Sequence, residues 1–224
     1  MFVEIGRTRT KIGASATDIK KLRMEFDQNH ALVLPNLIEP SLLSHLQDQI
    51  AQIEFTPRNQ KGFEGSELTA DLYDPLLILL HFLITEPSFL NLLGEITGLP
   101  KLQTFSGRFY RTQMNETTSN QQYLGWHDDF VFGRLLAFSL NLGADETTGG
   151  ELELRHKTTQ KTLARIPGLP SGHASLIRIG EDLEHCVRPL GPGGMRTRYA
   201  GWFYGETSDF NLRHILSSSE RNDL

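Results

Sequence analysis

Apolar positions in the first hundred residues recur at intervals of three and four, the period of a helix with one buried face. Ile19, Leu22 and Phe26 mark a short amphipathic helix over Thr17 to Phe26, and Ala31-Leu32-Val33-Leu34 reads as a brief strand ended by Pro35-Asn36. Pro40 suits a first helical turn, with Leu42, Leu43, Leu46, Ile50 and Ile53 as the buried stripe that follows. Two more helices are expected over Pro75 to Ile84 and Pro87 to Ile96, each opened by proline, the second closing near Gly98. The residues before Thr17 read as a polar start. Thr56 to Ser66 carries Pro, Gly, Asn and charge without a period and reads as a loop.

From Leu102 the pattern shortens into eight extended segments: Leu102 to Thr112, Gln121 to His127, Leu135 to Leu142, Glu151 to His156, Lys161 to Ile166, Ala174 to Ile179, His185 to Pro189 and Met195 to Tyr204. Gly-Gly, Pro-Gly and Asn/Asp clusters separate them, which favours a double-sheet jelly roll over alternating βαβ units. The expected fold class is therefore α+β, with N-terminal helices packed on one sheet. A single domain over residues 1–224 is expected, with helical support over about 15–100 and the jelly-roll core over about 101–205.

Composition narrows the functional classes. A net charge of −5 argues against a general nucleic-acid binder. The longest apolar run, Leu76 to Ile84, is interrupted by His81 and falls far short of a membrane span. The first residues, Met1-Phe2-Val3-Glu4-Ile5-Gly6-Arg7, lack the basic head and apolar stretch of a secretory signal. A lone cysteine, Cys186, excludes an internal disulfide and a thiolate zinc cluster, and fits a reducing, cytoplasmic setting.

The chemistry centres on Gly125-Trp126-His127-Asp128-Asp129-Phe130. On an extended strand His127 and Asp129 project to one side and Asp128 to the other, so an imidazole and a carboxylate can meet one ion. These are two parts of the 2-His-1-carboxylate triad that holds non-haem Fe(II) with open positions. With 8 histidines and 27 acidic residues, about one such triplet arises by chance, so the third ligand matters. His185, opening a late extended segment, is the candidate, because a jelly roll brings distant strands together. The other histidines, His30, His45, His81, His156, His173 and His214, read as structural or exposed. Further on, Arg196, Arg198, Ala200 and Trp202 share a strand face, so one or two guanidinium groups are available to fork a carboxylate.

Taken together, His127-x-Asp129, His185 and an arginine eleven residues later in a strand ending Gly201-Trp202-Phe203 resemble the Fe(II)/2-oxoglutarate-dependent dioxygenase superfamily, in its prolyl-hydroxylase-like branch. The run from His127-Asp128-Asp129 through Gly133-Arg134, Ala137-Phe138 and Leu140-Asn141-Leu142 is similar to the core of the ribosomal prolyl hydroxylases, as is Gly149-Gly150-Glu151-Leu152. The resemblance implies a double-stranded β-helix, Fe(II) held by His127, Asp129 and His185, and 2-oxoglutarate and O2 as cosubstrates, with ascorbate a further candidate. It selects Arg196, six residues before Trp202, to bind the far carboxylate of 2-oxoglutarate, with Arg198 as the alternative on the same face. Tyr110 resembles a pocket tyrosine and Tyr123 lies near the metal motif. Asn141 stands where the ribosomal group carries a tyrosine, and its amide is expected to reach the same carboxylate.

The implied reaction is hydroxylation of a C–H bond, on a prolyl residue of a protein, with release of succinate and CO2. A small-molecule hydroxylase of the same superfamily is the alternative substrate class; a cupin-like metal hydrolase, which has no need of Arg196, and a non-enzymatic binding module are the alternatives outside it. The polar segments Thr56 to Ser66 and Gln113 to Asn120 are expected to be lids that set specificity.

Overall fold

The computed structural model describes residues 2–57, 67–69, 74–100, 102–113, 124–131, 133–143 and 148–205. Helix α1 (Ala16–Asn29) starts at a capping box, in which Ser15 Oγ accepts from the Asp18 N–H and Asp18 Oδ2 accepts from the Ser15 N–H. Helices α2 (Pro40–Ile50), α3 (Pro75–Ile84) and α4 (Pro87–Thr97) each begin on proline as expected, and α4 closes on Gly98 in the left-handed conformation. A side chain at Gly98 would collide with the Arg23 guanidinium of α1, so the residue that ends α4 also lets two helices approach.

The strands are β1 (Val3–Ile5), β2 (Thr10–Ile12), β3 (Ala31–Leu34), β4 (Thr56–Pro57), β5 (Glu67–Thr69), β6 (Leu102–Gln113), β7 (Leu124–His127), β8 (Arg134–Asn141), β9 (Leu152–His156), β10 (Thr162–Ile166), β11 (Ala174–Arg178), β12 (Leu183–Val187) and β13 (Met195–Gly205). All eight extended segments expected beyond Leu102 are present as β6 to β13. A seven-stranded sheet runs β3-β11-β8-β13-β6-β5-β4 and faces a four-stranded sheet β10-β9-β12-β7, every ladder antiparallel. This is the jelly-roll arrangement, with helices against the outer face of the larger sheet.

Three expectations are corrected. The polar start contains the β1–β2 hairpin, whose Val3 and Ile5 are fully buried and which docks through Ile5 beside Ile38. Two apolar residues suffice here because every other position of so short a strand faces the core. Thr56 and Pro57 pair with β5 as β4; the rest of the Thr56 to Ser66 segment, residues 114–120 and Tyr123 lie outside the described residues. Strand β12 begins at Leu183, two residues before His185, since it is pinned along its length to β9.

Alternation divides the larger sheet into two chemistries. Its outer positions, Leu136, Phe138, Leu140, Phe105, Phe109, Tyr199, Phe203 and Leu176, are buried beneath the helices in one aromatic-rich core. Positions in register on neighbouring strands share a face. The inner face therefore carries rows Ser106–Trp202–Ala137 and Tyr110–Arg198–Asn141, with Arg196 opposite Thr112 beyond them. A second apolar cluster, Ala31, Leu154, Ile166, Ile177 and Leu183, fills the gap between the sheets toward β3 and β10. The polar inner residues belong to the β6, β13, β7 and β12 side.

Candidate metal centre and cosubstrate cleft

Strands β7 and β12 are neighbours in the smaller sheet, and their register sets His127 directly opposite His185. The two rings lie with centroids 4.2 Å apart. Strand β7 ends at His127, where Asp128 Oδ1 accepts the Phe130 N–H at 3.2 Å in an Asx turn. Asp129 is therefore delivered by a turn, which corrects the reading of His127-x-Asp129 as one continuous strand. The outcome for the side chains is the expected one. Asp129 reaches both imidazoles, with Oδ1 3.9 Å from His127 Nε2 and Oδ2 3.5 Å from His185 Nε2. Asp128 turns outward to the Lys157 ammonium, which holds its carboxyl below the usual carboxylate range.

The donor atoms of His127, Asp129 and His185 all lie within 4.8 Å of one another, and among the described residues no other His, Cys, Asp or Glu group converges in this way. Metal–ligand bonds of about 2.0–2.2 Å place donors on one ion roughly 3–4 Å apart, so the cluster fits a single cation. Protonation fits too. His127 Nδ1 lies 2.7 Å from the Gly125 carbonyl, which can only accept, so the proton belongs on Nδ1 and the Nε2 lone pair is free for a metal. Burial, assisted by the charges of His127 and Arg198 and opposed by Asp129, pushes His185 down to about 4, so it is a neutral donor at physiological pH.

Trp202, placed by alternation on the same strand face as Arg196 and Arg198, touches the cluster directly: its Nε1–H donates to Asp129 Oδ2 at 2.9 Å. Arg134 stacks on the Trp202 ring, with Cζ 3.7 Å from the centroid. Neither role has a signature in the sequence, because the first depends on the two sheets facing each other and the second on the pairing of β8 with β13.

Arg196 and Arg198 both occupy inner positions of β13. Arg196 Nη1 donates to the Gly150 carbonyl at 2.7 Å, tying it to the Gly149-Gly150 segment. Gly150 has a φ of 72°, and a side chain there would strike the Arg196 guanidinium. Arg198 sits in register with Tyr110 and Asn141, with Cζ 5.6 Å from the Tyr110 ring centroid, and is the arginine whose charge bears on His185. Asn141 lies beside Arg198 in that row. It is buried, its Nδ2 donates to Leu169 O at 2.6 Å and its Oδ1 accepts from the Gly143 N–H, so the amide braces the end of β8.

Two imidazoles and one carboxylate converging on a jelly roll make a donor set that suits non-haem Fe(II) with open positions. Residues 112–204 match the family model of the 2OG-Fe(II) oxygenase superfamily, and His127, Asp129 and His185 all fall within the matched segment. Similar solved structures include a Trichoplax adhaerens prolyl hydroxylase in complex with a hypoxia inducible factor peptide fragment, at 13% identity, covering 86% of this chain and 94% of that one, with a TM-score of 0.61. A Pseudomonas putida prolyl-4-hydroxylase is 15% identical over 84% of this chain and all of its own, with a TM-score of 0.60. The α-ketoglutarate-dependent epimerase SnoN from nogalamycin biosynthesis is 13% identical over 86% and 83%, with a TM-score of 0.64. No curated protein matches the sequence.

Proposed function

We propose that this chain hydroxylates a prolyl residue of a protein, with His127, Asp129 and His185 as the Fe(II) ligands and Arg196 as the partner of the far carboxylate of 2-oxoglutarate. The observation that carries the proposal is the convergence of these three donors, from a turn and two strands, on one point facing an arginine-bearing strand. Iron with 2-oxoglutarate and O2 supplies the chemistry, cleaving the cosubstrate to succinate and CO2 while one oxygen atom enters a C–H bond of the substrate. The protein supplies placement. His127 presents Nε2 because Gly125 takes its other nitrogen, and His185 stays neutral because it is buried. Arg196, six residues before Trp202, brings a guanidinium to the inner face, where a dicarboxylate can be gripped at both ends, by metal and by arginine.

The prolyl assignment is supported by the similarity of the segment His127 to Leu142 to the ribosomal prolyl hydroxylases and by the likeness of fold to two prolyl hydroxylases, one of them holding a peptide. A small-molecule substrate is the second reading, favoured by the equal likeness to SnoN. Purified protein given Fe(II), ascorbate and 2-oxoglutarate should release succinate, and mass spectrometry of a proteome treated with it should show +16 Da on prolyl peptides. Modification of metabolites alone would select the second reading. Failure to bind either metal or 2-oxoglutarate would sink both.

A further inference from the structure

Asp129 is held by more than the turn that delivers it. Trp202 occupies an inner position of β13 between the small residues Ser106 and Ala137, which leave lateral room for the indole, and its N–H reaches Asp129 Oδ2 at 2.9 Å. Arg134, the first residue of β8 and the cross-strand partner of Tyr204, lies flat over that indole. Its Nε donates to the Tyr204 hydroxyl at 3.3 Å and its Nη1 faces the Asp129 carbonyl at 3.5 Å. Arg134, Trp202 and Asp129 thus form a closed ring of contacts, joining the metal-site turn to the β8–β13 pair.

The geometry points to Trp202 and Arg134 as positioning residues that turn a single oxygen of Asp129 to the metal. The inference rests on Asp129 being a ligand. An indole N–H bonded to a carboxylate is a charge-assisted bond, and a cation over the ring draws electron density from it, making the N–H a better donor. Rotation of the carboxylate to chelate with both oxygens breaks this bond and leaves a partly buried N–H unpaired. With one oxygen of Asp129 engaged, His127, Asp129 and His185 would hold an iron ion by three donors and leave it room for a cosubstrate. Arg134 acts on the carboxylate chiefly through Trp202, so its contribution shrinks to its bond with the Asp129 carbonyl when the indole is gone.

The test compares Trp202→Phe, which keeps a ring and removes the donor, with Arg134→Met, which removes the cation, and with the double variant. Mn(II) affinity is read by electron paramagnetic resonance, and the coordination of the anaerobic Fe(II)–2-oxoglutarate complex by its visible charge-transfer band. Trp202→Phe should bind Mn(II) about 10-fold more weakly, in the range found for outer partners of metal ligands, and shift the band. Arg134→Met should show a smaller change of the same sign, and adding it to Trp202→Phe should cause less further loss than it causes alone. Trp202→Gln, which restores an N–H donor, should recover part of the affinity. Wild-type affinity and an unshifted band in Trp202→Phe overturn the inference, as do strictly additive losses in the double variant. If Trp202→Phe lacks the wild-type circular dichroism spectrum, Arg134→Met decides alone, and an unchanged affinity and band there overturn it. Absence of Mn(II) binding by the wild type instead overturns the ligand assignment itself.

Discussion

Asp128 and Asp129 are adjacent and chemically identical, yet they lie in different environments. Asp129 faces two imidazoles and an indole N–H, whereas Asp128 caps a turn and pairs with Lys157 at the surface. Asp129→Ala should abolish iron-dependent succinate release. Asp128→Ala should keep most of it, because an exposed ion pair contributes only about 0–1 kcal/mol. Equal loss in both would contradict the turn geometry. The arginines separate in the same way. Arg196→Ala should raise the KM for 2-oxoglutarate about 10-fold or more, the loss expected when a charge-assisted bond of about 1.5–3 kcal/mol is removed, with a smaller effect from Arg198→Ala. A larger rise in Arg198→Ala would transfer the cosubstrate role to Arg198. Which aspartate faces inward was legible from alternation, although the chain leaves the strand to achieve it. The bond from Asn141 to the Leu169 carbonyl was not legible, because it depends on the approach of a segment distant in sequence.

At the scale of elements, β13 is the strand on which the site depends. It runs between β6 and β8, its inner residues reach the site and its outer residues enter the aromatic core. Gly201 faces the outer side, where an added Cβ would stand 2.0 Å from the Ser106 carbonyl oxygen and 2.4 Å from Gly107 Cα. The close approach of β6 and β13 thus requires a residue without a side chain on the neighbour of Trp202. Gly201→Ala should cost about 1–3 kcal/mol, as overpacking does, lowering the urea midpoint. An unchanged midpoint would mean the two strands are further apart. The extent of β13 was readable from its alternating sequence. Its partners were not, since an extended segment carries no label for the strand beside it.

Across the whole molecule, histidines away from the site couple stability to pH. Burial lowers the pKa of His81 in α3, and burial followed by the charge of Arg178 lowers that of His30. Folded values below the unfolded value, about 6.5, mean that the unfolded chain binds more protons as pH falls. Their stabilising contribution is complete above about pH 6.5 and is lost as pH drops toward the carboxylate range. The melting temperature should therefore fall between pH 6.5 and 5.5, and His81→Gln should flatten that fall. An identical slope in the variant would mean that His81 titrates normally.

The sequence by itself determined the helices, the eight core strands and the residue types able to bind iron and a dicarboxylate, because periodicity, proline and glycine act over a few residues. The tertiary structure alone decided what meets what. His185 stands opposite His127 because β12 pairs with β7, 58 residues away in sequence, and Trp202 reaches Asp129 because the two sheets face each other. Pairing is set by which faces must be buried together, a property of the whole chain.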